Sequence, residues 1–326
     1  MEDVAVIITA LNAQGTIGRA VASSLMQEEV AEVLVIDDAS VDGTAQAARD
    51  ADDGTGRLKV IACAQNIGPA AARNLAISRS RAPLIAIVDA DDFMLADRLA
   101  ALADAAGDWD LSADNILFSA PDTAREFEGK GAFETPGGAR SLSFEGFVLA
   151  NISQPDRPRG ELGFLKPVIR RAFLEKHGLA YDERLRLGED FDLYARMLLA
   201  GARFRVVAAC GYVAVERENS LSACHSAADL GALVQADARM LSGPMSPDQR
   251  RALVAHQEHC AARWHHRRFL DAKRDKGLLR ALAENAGLPR LLLDAVKGVA
   301  QDKWRDHQRR GRPPEARMQP RLLLGP

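Results

Sequence analysis

The amino-acid sequence predicts an α/β fold in which a mostly parallel sheet is flanked by helices and followed by a helical C-terminal extension. Four short apolar runs, rich in β-branched residues, begin 29, 25 and 26 residues apart: residues 4–8, 33–36, 58–61 and 84–88. Continuous apolar runs of this length are typical of parallel strands that are buried on both faces. Their spacing is the length of a strand followed by a helix, which predicts a doubly wound sheet with right-handed crossovers.

Helical patterns fill the gaps between these predicted strands. Ile17, Val21 and Leu25 recur at intervals of four residues and place an apolar stripe on one helical face, which can pack on the sheet. Residues 70–78 and 97–105 form similar alanine-rich patterns. We therefore expect these three segments to be helices that cover the sheet.

The composition of the chain changes well after the fourth predicted strand. Residues 120–160 are rich in glycine, proline and charge and predict a long, partly mobile insertion, in which only residues 144–150 have an ordered pattern. Two helices are predicted next, "KPVIRRAFLEKHG" ended by Gly178 and "GEDFDLYARMLLAG" ended by Gly201.

The remaining sequence sets the expected domain organisation. Residues 204–207 and 213–215 are predicted strands, and the sequence beyond about Ser226 is almost entirely helical in pattern. We therefore expect one domain over residues 1–225, which contains the sheet, and a basic helical extension over residues 226–326.

Composition limits the class of protein. Hydrophobic residues make up 47% and charged residues 27% of the 326 residues, close to the averages of globular proteins, which argues against a disordered chain. The first residues are acidic rather than basic, and no apolar run approaches the roughly 20 residues that cross a bilayer, so we expect a cytoplasmic protein. Four cysteines without CxxC spacing fit reduced thiols better than disulfides or a zinc ribbon.

Charge is distributed unevenly along the chain. The net charge is −3, but residues 263–312 carry 14 basic and 6 acidic residues, which leaves −11 for the rest. These basic helices, with Trp264, Phe269 and Trp304, can lie on an anionic membrane face; the alternative is a solvated face on helices that pack against the main domain. Nucleic-acid binding is disfavoured because the chain as a whole is acidic and has few aromatic residues.

Each of the first four predicted strands ends in a polar loop. The fourth loop, in "AIVDADDFML", places Asp89, Asp91 and Asp92 within four residues. Because ligands of open α/β sheets bind outside the carboxyl ends of the strands, these loops are expected to converge on one site. Mg²⁺ and Mn²⁺ prefer carboxylate oxygens together with substrate phosphates, so the aspartates predict a cation seat. The alternative is that they only form turns and helix caps.

Five blocks of sequence resemble the ordered signatures of glycosyltransferase family 2, enzymes of the GT-A (Rossmann-like) fold that use nucleotide-sugars. The blocks are "IITALNAQGTIGRAVASSL", "VLVIDDASVDGT", "NIGPAAARNLAI", "AIVDADD" and "RLRLGEDFDLYARML". The resemblance covers about residues 3–225. Within the family it is closest to bacterial exopolysaccharide enzymes, including the succinoglycan group. One departure is Leu11, which stands where the first block usually has a tyrosine that stacks on the nucleotide base.

The resemblance implies a role for each matching position. The donor-binding residues are Thr9, Ala10 and Asn12 in the uridine pocket, Asp38 near the uracil or ribose, Arg73 near the base or phosphates, and Asp89 by the ribose. Asp91 is implied as the main ligand of Mg²⁺ or Mn²⁺, and the role of Asp92 is left open. Asp190 is implied as the catalytic base, with Glu189 assisting it or binding the acceptor.

The chemistry of these residues supports the same roles independently of the family resemblance. Displacement of a nucleoside diphosphate from a sugar carbon develops negative charge that a cation at Asp91 would neutralise. A carboxylate on the other side must take the proton of the acceptor hydroxyl, and Asp190 lies at a predicted helix start where the dipole favours its charge. One base without a second nucleophile predicts inversion at the anomeric carbon. The alternative for Asp190 is simple capping of the helix.

Three later features carry weaker predictions. Arg217, Ser222 and His225 follow the last predicted strand, where family members often have a loop that closes over the diphosphate, and His225 is a candidate second metal ligand. "HQEHCAARWHH" places His256, His259 and Cys260 on one helical face, a spacing that suits zinc, although four ligands are not evident.

The leading hypothesis is an inverting glycosyltransferase with a UDP-sugar donor, UDP-glucose first. Its expected acceptor is a saccharide, in particular a polyprenyl-diphosphate-linked oligosaccharide, which would suit a cytoplasmic enzyme at the inner membrane face. Processive synthases of the family carry a Gln-x-x-Arg-Trp element. Here Arg263 and Trp264 match its end, but Cys260 stands in place of the glutamine, so a processive synthase is disfavoured. The alternatives are a nucleotidyltransferase, whose first loop would normally carry a basic residue before Arg19, and a non-catalytic sugar-nucleotide-binding scaffold.

Overall fold

The computed structural model describes residues 2–103, 108–136, 138–153, 160–216, 225–285 and 319–325. The chain divides into two units. The first unit comprises Met1–Phe144, Leu162–Glu218 and Pro320–Pro326, and the second comprises Glu145–Glu161 and Asn219–Gln319.

The described part of the first unit contains one mixed sheet. In chain order its strands are β1 Val4–Ala10, β2 Val30–Asp37, β3 Leu58–Ala62, β4 Leu84–Asp89, β5 Phe93–Met94, β6 Leu111–Ser119, β7 Phe133–Glu134, β8 Arg140–Leu142, β9 Val168–Arg170, β10 Phe204–Val215 and β11 Arg321–Leu322.

The order of strands in the sheet is β3-β2-β1-β4-β9-β6-β10-β5. The first four strands in this order are mutually parallel, as are β6 and β10. β9 runs antiparallel between β4 and β6, β5, β7 and β8 pair antiparallel with β10, and β11 pairs antiparallel with β6. The α/β fold and the four predicted parallel strands are therefore confirmed.

Helices cover the sheet or form the second unit. They are α1 Ile17–Leu25, α2 Thr44–Asp50, α3 Pro69–Arg79, α4 Arg98–Ala103, α5 Pro121–Ala124, α6 Phe144–Ala150, α7 Arg171–His177, α8 Glu189–Leu199, α9 Ala227–Leu241, α10 Pro247–Lys276 and α11 Leu278–Asn285. Two short 3₁₀ helices, Arg125–Phe127 and Leu162–Phe164, lie between them.

The core of the first unit is the central part of this sheet with its helices. The side chains of β1 and β2 are buried on both faces of the sheet, and Ile7, Ile8 and Leu34 are fully inaccessible to solvent. Ile17, Val21 and Leu25 are also buried, so the predicted apolar stripe of α1 is confirmed. Each such aliphatic side chain contributes roughly 1.5–3 kcal/mol on burial, which makes this core a rigid support for the loops at the strand ends.

The prediction of one helix over "KPVIRRAFLEKHG" is wrong in its first half. Val168–Arg170 forms β9, and the helix begins only at Arg171. The physical reason is that Pro167 disfavours helical backbone at the residue before it, while the β-branched Val168 and Ile169 fill a buried position between β4 and β6. Gly178 ends the helix in the left-handed conformation with φ 61°, as predicted.

Other strand predictions were incomplete. The segment in which only residues 144–150 were expected to be ordered also contributes β7 and β8, which extend the sheet along β10. The two strands predicted near residues 204 and 213 are one strand, β10, with register shifts against β6 between Val206 and Tyr212. Strands of two or three residues have too few side chains for a recognisable alternation, which explains why the sequence did not indicate them.

The second unit is built on α9 and α10, which pack against each other as antiparallel helices. Each helix starts with a capping box, Ser226 with Asp229 and Ser246 with Gln249, which satisfies free amides of the first turn. Gly231 of α9 allows close packing, because a Cβ atom there would lie 3.1 Å from the indole nitrogen of Trp264 and the ring would have to shift by a few tenths of an ångström. Among the described helices of the protein, none combines the length and the apolar composition needed to cross a bilayer.

The histidines of α10 do not act as the sequence spacing suggested. His259 contacts the hydroxyl of Ser153 at 3.0 Å, whereas His256 Nδ1 lies 2.9 Å from Asp237 Oδ2 of α9. Asp237, His256 and Cys260 each place one potential ligand atom within 4.8 Å of the others, and His259 is not part of this group. The Cys260 sulfur lies 3.9 and 3.8 Å from the two ring nitrogens of His256. Asp237 and His256 form a buried ion pair, and the thiol packs beside it.

Candidate active site

The carboxyl ends of the central strands lie side by side in the sheet. In register, Thr9 of β1 is opposite Asp89 of β4, and Ala10 is opposite Asp37 of β2. Thr9, Ala10 and the aspartate of β4 were predicted from distant parts of the sequence to share one site. The sheet brings them together at one edge, where a ligand of an open α/β sheet binds.

The loops after β1 and β2 are tied to each other. Asn12, which adopts a left-handed backbone with φ 52°, accepts a hydrogen bond from the amide of Val41 through its side-chain oxygen at 3.0 Å. Its own amide donates to the hydroxyl of Ser40 at 2.8 Å. Asparagine tolerates this backbone conformation better than most residues, so the loop is held in one shape next to Thr9.

Asp38 connects the loop after β2 to the loop after β3. One carboxylate oxygen accepts from the amide of Ile67 at 2.6 Å, and the other accepts from the amide of Gly68 and the side chain of Asn66, both at 2.9 Å. The residue is buried. Asp38 thus shapes the entrance of α3, and any contact it makes with a nucleotide shares oxygens that already accept hydrogen bonds.

A buried cluster of five charged side chains lies behind this edge. It consists of two cations and three carboxylates from four separate places in the sequence: Arg73 of α3, Asp89 of β4, Lys166 before β9, and Glu189 and Asp190 at the start of α8. We call this group the charged cluster. It unites four of the predicted donor-site and catalytic residues with a lysine that was not predicted.

The distances within the charged cluster show how it is joined. Lys166 Nζ lies 2.8 Å from Asp89 Oδ2 and 2.9 Å from Asp190 Oδ2, so one ammonium group bridges the two aspartates. Arg73 donates to Glu189 and, at 3.2 Å, to Asp89 Oδ1, and its Nη1 is 3.4 Å from Asp190 Oδ1. The side chain of Asp89 is one third exposed whereas Arg73 and Lys166 are almost completely buried, so Asp89 connects the cluster to the ligand edge.

The electrostatics of the cluster favour its charged state. Burial alone would lower the pKa of Lys166, but Asp190 and Asp89 outweigh this effect and raise it. Burial likewise opposes the carboxylate of Asp89, but Lys166 and Arg73 keep its pKa below the ordinary value. With all groups charged, three carboxylates face two cations, and the cluster carries one net negative charge.

The start of α8 is formed by a glycine and two acids. Gly188, just before the helix, has φ 72°, a left-handed conformation that an L side chain would strain. Glu189 and Asp190 follow in the first turn, where the helix dipole stabilises negative charge by about 0.3–1 kcal/mol. The "GED" motif therefore turns the chain sharply and presents two carboxylates to the cluster.

The three aspartates after β4 point to different partners. Asp92 is buried and accepts hydrogen bonds from the hydroxyl of Tyr212 at 2.8 Å and the amide of Val215 at 2.8 Å. Burial, with the negative charges of Asp91 and Asp89, raises its pKa well above the ordinary value. Asp92 therefore links the loop to β10 inside the protein. The sequence had left the role of this residue open.

Asp91 is the member of the triplet that fits a cation at the ligand edge. It is half-buried, while Asp89 is held by two cations and Asp92 is turned inward. A single carboxylate at a strand end, next to a nucleotide diphosphate, is a common way to hold Mg²⁺ or Mn²⁺. The donor set of this edge, all oxygen, therefore suits the predicted metal.

Sequence reasoning missed Lys166 and Tyr212. Lys166 is a single basic residue within the apolar stretch "GFLKPVI", a position at which a buried charge is unusual unless it is paired, and this was the available signal. Tyr212 donates to Asp92 and accepts from the amide of Asp89 at 3.1 Å, but no local pattern marks it. His225 lies in the second unit just before α9, so its role stays a prediction; Arg217 and Ser222 lie outside the described residues.

The fold and site together define a class of protein. A doubly wound sheet, loops that converge at its carboxyl edge, an oxygen-lined cation seat and a buried acid in contact with that edge are the features of a GT-A enzyme. Comparison with known proteins agrees. Residues 5–171 match the family described as Glycosyl transferase family 2.

Two curated relatives extend this match over most of the chain. The succinoglycan biosynthesis protein ExoU of Rhizobium meliloti is 48% identical over 316 residues, 95% of this chain and 91% of the relative. The succinoglycan biosynthesis protein ExoO of the same organism is 36% identical over 73% of this chain and 68% of the relative. The chain therefore belongs to glycosyltransferase family 2 and is a glycosyltransferase.

Solved structures agree in fold. TarS residues 1–349 from S. aureus, in complex with UDP-GlcNAc, superposes with a TM-score of 0.59 at 20% identity and covers 90% of this chain and 79% of its own. The mannosyltransferase PcManGT from Pyrobaculum calidifontis, in complex with GDP-Man and Mn²⁺, gives a TM-score of 0.52 at 20% identity over 93% and 85%. At this identity the likeness supports the GT-A fold.

Proposed function

We propose that this glycosyltransferase is an inverting, metal-dependent enzyme that transfers a sugar from a UDP-sugar to a hydroxyl group of a saccharide acceptor. The observation that carries the proposal is the contact of one ammonium group, that of Lys166, with both Asp89 and Asp190. Asp89 is the proposed ribose contact and Asp190 the proposed base. The bridge therefore sets the proton acceptor at a short, fixed distance from the donor site.

The proposed donor site is the edge formed by the first four strands. Thr9, Ala10 and Asn12 line it from β1, Asp38 supports it from β2, and Arg73 and Asp89 close its inner side. Leu11 is 40% exposed beside this edge, so its side chain is available for aliphatic contact with the nucleotide base. The rigid links between the loops favour binding because little conformational freedom is lost when the donor arrives.

Asp91 is the proposed holder of Mg²⁺ or Mn²⁺. A divalent cation at this position supplies charge neutralisation to the diphosphate as it leaves. The protein itself presents an oxygen ligand at the end of a buried strand. The hydrogen bond between Tyr212 and Asp92 holds the loop in place. The Mn²⁺ present with PcManGT supports this choice of ion.

Asp190 is the proposed general base, and Glu189 its assistant or an acceptor ligand. The acceptor O–H bond breaks as its proton passes to Asp190, and the oxygen forms the new bond to the anomeric carbon. At the same time the bond from that carbon to UDP breaks, and its electron pair leaves with UDP. A single displacement of this kind inverts the anomeric configuration.

The relatives support the choice of substrates. Two of them are named as succinoglycan biosynthesis proteins, and the TarS structure contains UDP-GlcNAc. We propose a role in exopolysaccharide biosynthesis, with UDP-glucose as the first donor to test and a polyprenyl-diphosphate-linked oligosaccharide as the acceptor. The cationic last turns of α10, with Lys273, Arg274 and Lys276, support a peripheral position at an anionic inner membrane face.

The proposal is tested by measuring UDP release from a panel of UDP-sugars with Mn²⁺ or Mg²⁺, which needs no known acceptor. We expect slow, metal-dependent hydrolysis that is fastest with UDP-glucose. GDP-mannose is the control donor. Release of GDP but not UDP would refute the donor class, and binding without release from any donor and acceptor pair would favour the non-catalytic scaffold.

The metal assignment has its own test. In thermal-shift measurements, UDP with Mn²⁺ should stabilise the protein more than UDP alone, and Asp91→Asn should remove this difference. Transfer should fall by about 100-fold, the typical loss when a charge-stabilising group is removed. Asp122→Asn, at an exposed position of α5, is the control and should behave as wild type. An Asp91→Asn variant with the full Mn²⁺ response would place the metal elsewhere.

A further inference from the structure

The two carboxylate oxygens of Asp190 have different surroundings. Oδ2 accepts a hydrogen bond from Lys166 Nζ at 2.9 Å. Oδ1 is buried and, within the described residues, has no hydrogen-bond donor. The guanidinium of Arg73 lies 3.4 Å from Oδ1, close enough for attraction but directed to Glu189 and Asp89 instead. One oxygen is therefore anchored and the other lacks a donor.

Lys166 is itself fixed in place by the backbone. Its carbonyl oxygen accepts a hydrogen bond from Arg98 Nη2 at 2.6 Å, and Arg98 is fully buried and paired with Asp114 at 2.8 Å. Pro167 restricts the backbone of Lys166 to extended conformations. The ammonium group thus reaches Asp89 and Asp190 from a backbone that is held in place.

An unsatisfied buried oxygen is costly. A buried acceptor without a hydrogen bond destabilises a protein by about 1–3 kcal/mol, and a catalytic role is one of the reasons for which native structures retain such a group. The ligand that fits Oδ1 is a hydroxyl group, because it brings a proton and no charge into a cluster that already holds an excess carboxylate. A hydroxyl is also what a saccharide acceptor provides.

We propose that Lys166 is a positioning residue that holds Asp190 through Oδ2, so that Oδ1 receives the proton of the acceptor hydroxyl. This inference rests on the proposed function and refines it to single atoms. The acceptor O–H bond breaks, its proton moves to Oδ1, and the oxygen bonds to the anomeric carbon while UDP leaves with the electron pair of the broken bond. Lys166 keeps its charge throughout and stabilises the carboxylate before transfer.

Three variants test this role. Lys166→Met removes the charge at similar length and should lower kcat for transfer by about 100-fold, the order of loss that accompanies a misplaced catalytic group. Lys166→Arg keeps the charge but not the geometry and should recover part of that loss. Lys59→Met is the matched control, since Lys59 is half-exposed and pairs with Glu32 away from the charged cluster.

The split between kcat and KM distinguishes a positioning role from a merely structural one. Lys166→Met should lower kcat while the KM for the saccharide acceptor stays within about threefold of wild type, because a misplaced carboxylate affects the chemical step rather than binding. In Lys59→Met both constants should stay at their wild-type values. The other groups that face Asp190 are unchanged in these variants: Arg73, Asp89, Glu189, Tyr181 and Tyr194.

A double-mutant cycle completes the test. If Lys166 acts through Asp190, Lys166→Met should cost nothing further in kcat when Asp190 is already asparagine. Multiplicative losses, or a Lys166→Met enzyme with wild-type kcat, would overturn the inference. If Lys166→Met does not fold, Lys166→Arg decides: unchanged kcat contradicts positioning, and reduced kcat with an unchanged KM for the acceptor supports it.

Failure of the proposed function has a different signature. A wild-type protein that transfers no sugar from any UDP-donor refutes the function itself, whatever Lys166 does. An active wild type whose Lys166→Met variant is unaffected refutes only the positioning role.

Discussion

Two groups of charged side chains in the described part of the protein are largely buried and differ in their balance of charge. In the second unit, Asp237 and His256 form a pair of one acid and one base at 2.9 Å. In the first unit, the charged cluster sets Asp89, Glu189 and Asp190 against Arg73 and Lys166. The side chains of Asp237 and His256 are at most 4% exposed, and that of Asp190 is 11% exposed.

This difference separates structural charge from functional charge. A buried ion pair with equal charges loses the hydration of its members but recovers much of it through mutual attraction. Burial disfavours the imidazolium of His256, yet Asp237 overcomes this and raises its pKa to about 9. The charged cluster instead keeps one carboxylate in excess of its cations, an arrangement that stability alone does not favour and that is typical of active sites.

The largest expected effect comes from the excess carboxylate. Asp190→Asn should lower kcat for transfer by about 10²–10⁴-fold, the usual contribution of a general base, while UDP binding stays within about threefold of wild type. The melting temperature should be maintained or raised, because the substitution removes the unbalanced charge at nearly constant volume. Steady-state kinetics and thermal unfolding measure the two effects on one preparation.

Asp122→Asn is again the control for the loss of one exposed acid. An Asp190→Asn protein that transfers normally would show that the base lies elsewhere. One that is inactive and also strongly destabilised would remove the distinction between the two buried groups, since the cluster would then be structural as well.

The sequence predicted the parallel half of the sheet because its strands are long, continuous and apolar. The runs that became β1 to β4 have a single consistent interpretation at their spacing. β9 shows the limit of this reasoning: Val168 and Ile169 are too few to define a period, and only the gap between β4 and β6 makes them a strand. Tertiary pairing, rather than local preference, decides such short elements.

The candidate site was predictable where acidic residues follow strands or start helices. Asp89, Asp91 and Asp190 stand in such places. Asp89 and Asp91 were indicated by the cluster at the strand end, and Asp190 was indicated by the family resemblance. Lys166 was indicated by neither, because its contacts span 77 positions to Asp89 and 24 to Asp190, and no local pattern encodes these contacts. The division of labour within the aspartate triplet also required the position of Tyr212 on β10.

The second-largest effect is expected in the balanced pair. Asp237→Asn leaves His256 buried without its counter-charge, and breaking a buried pair in this way costs about 3–5 kcal/mol. The free energy of unfolding, measured with denaturant, should fall by this amount, whereas kcat per folded molecule should remain near the wild-type value. This variant should lose stability and keep its kcat, whereas Asp190→Asn should lose kcat and keep its stability.

Asp229→Asn offers a comparison within the same helix, since Asp229 is half-buried and serves the capping box of α9. It should cost no more than about 1 kcal/mol. If Asp237→Asn were equally mild, the pair with His256 would contribute little to stability, and balance of charge would no longer explain the difference between the two groups.

The smallest expected effect is a pH dependence of stability that belongs to the same pair. The pKa of His256 is about 9 in the folded protein against an ordinary value of 6.5, so folding favours the protonated imidazole. The stabilisation is fully present below about pH 6.5 and is lost as the pH rises through 9, with a magnitude on the order of 3 kcal/mol. Asp237 and Cys260 are the titratable groups in contact with the ring, and His259 lies nearby.

Thermal unfolding between pH 6 and 10 should therefore show a falling melting temperature that is absent in His256→Asn, which retains a neutral donor to Asp237. His177→Asn, at an exposed position of α7, should keep the wild-type slope. Cys260→Ala separates the thiol from the imidazole: the fall should persist in this variant. If it disappeared with the thiol, ionisation of Cys260 rather than loss of the His256 proton would account for it, and the second unit would hold no balanced pair to set against the charged cluster.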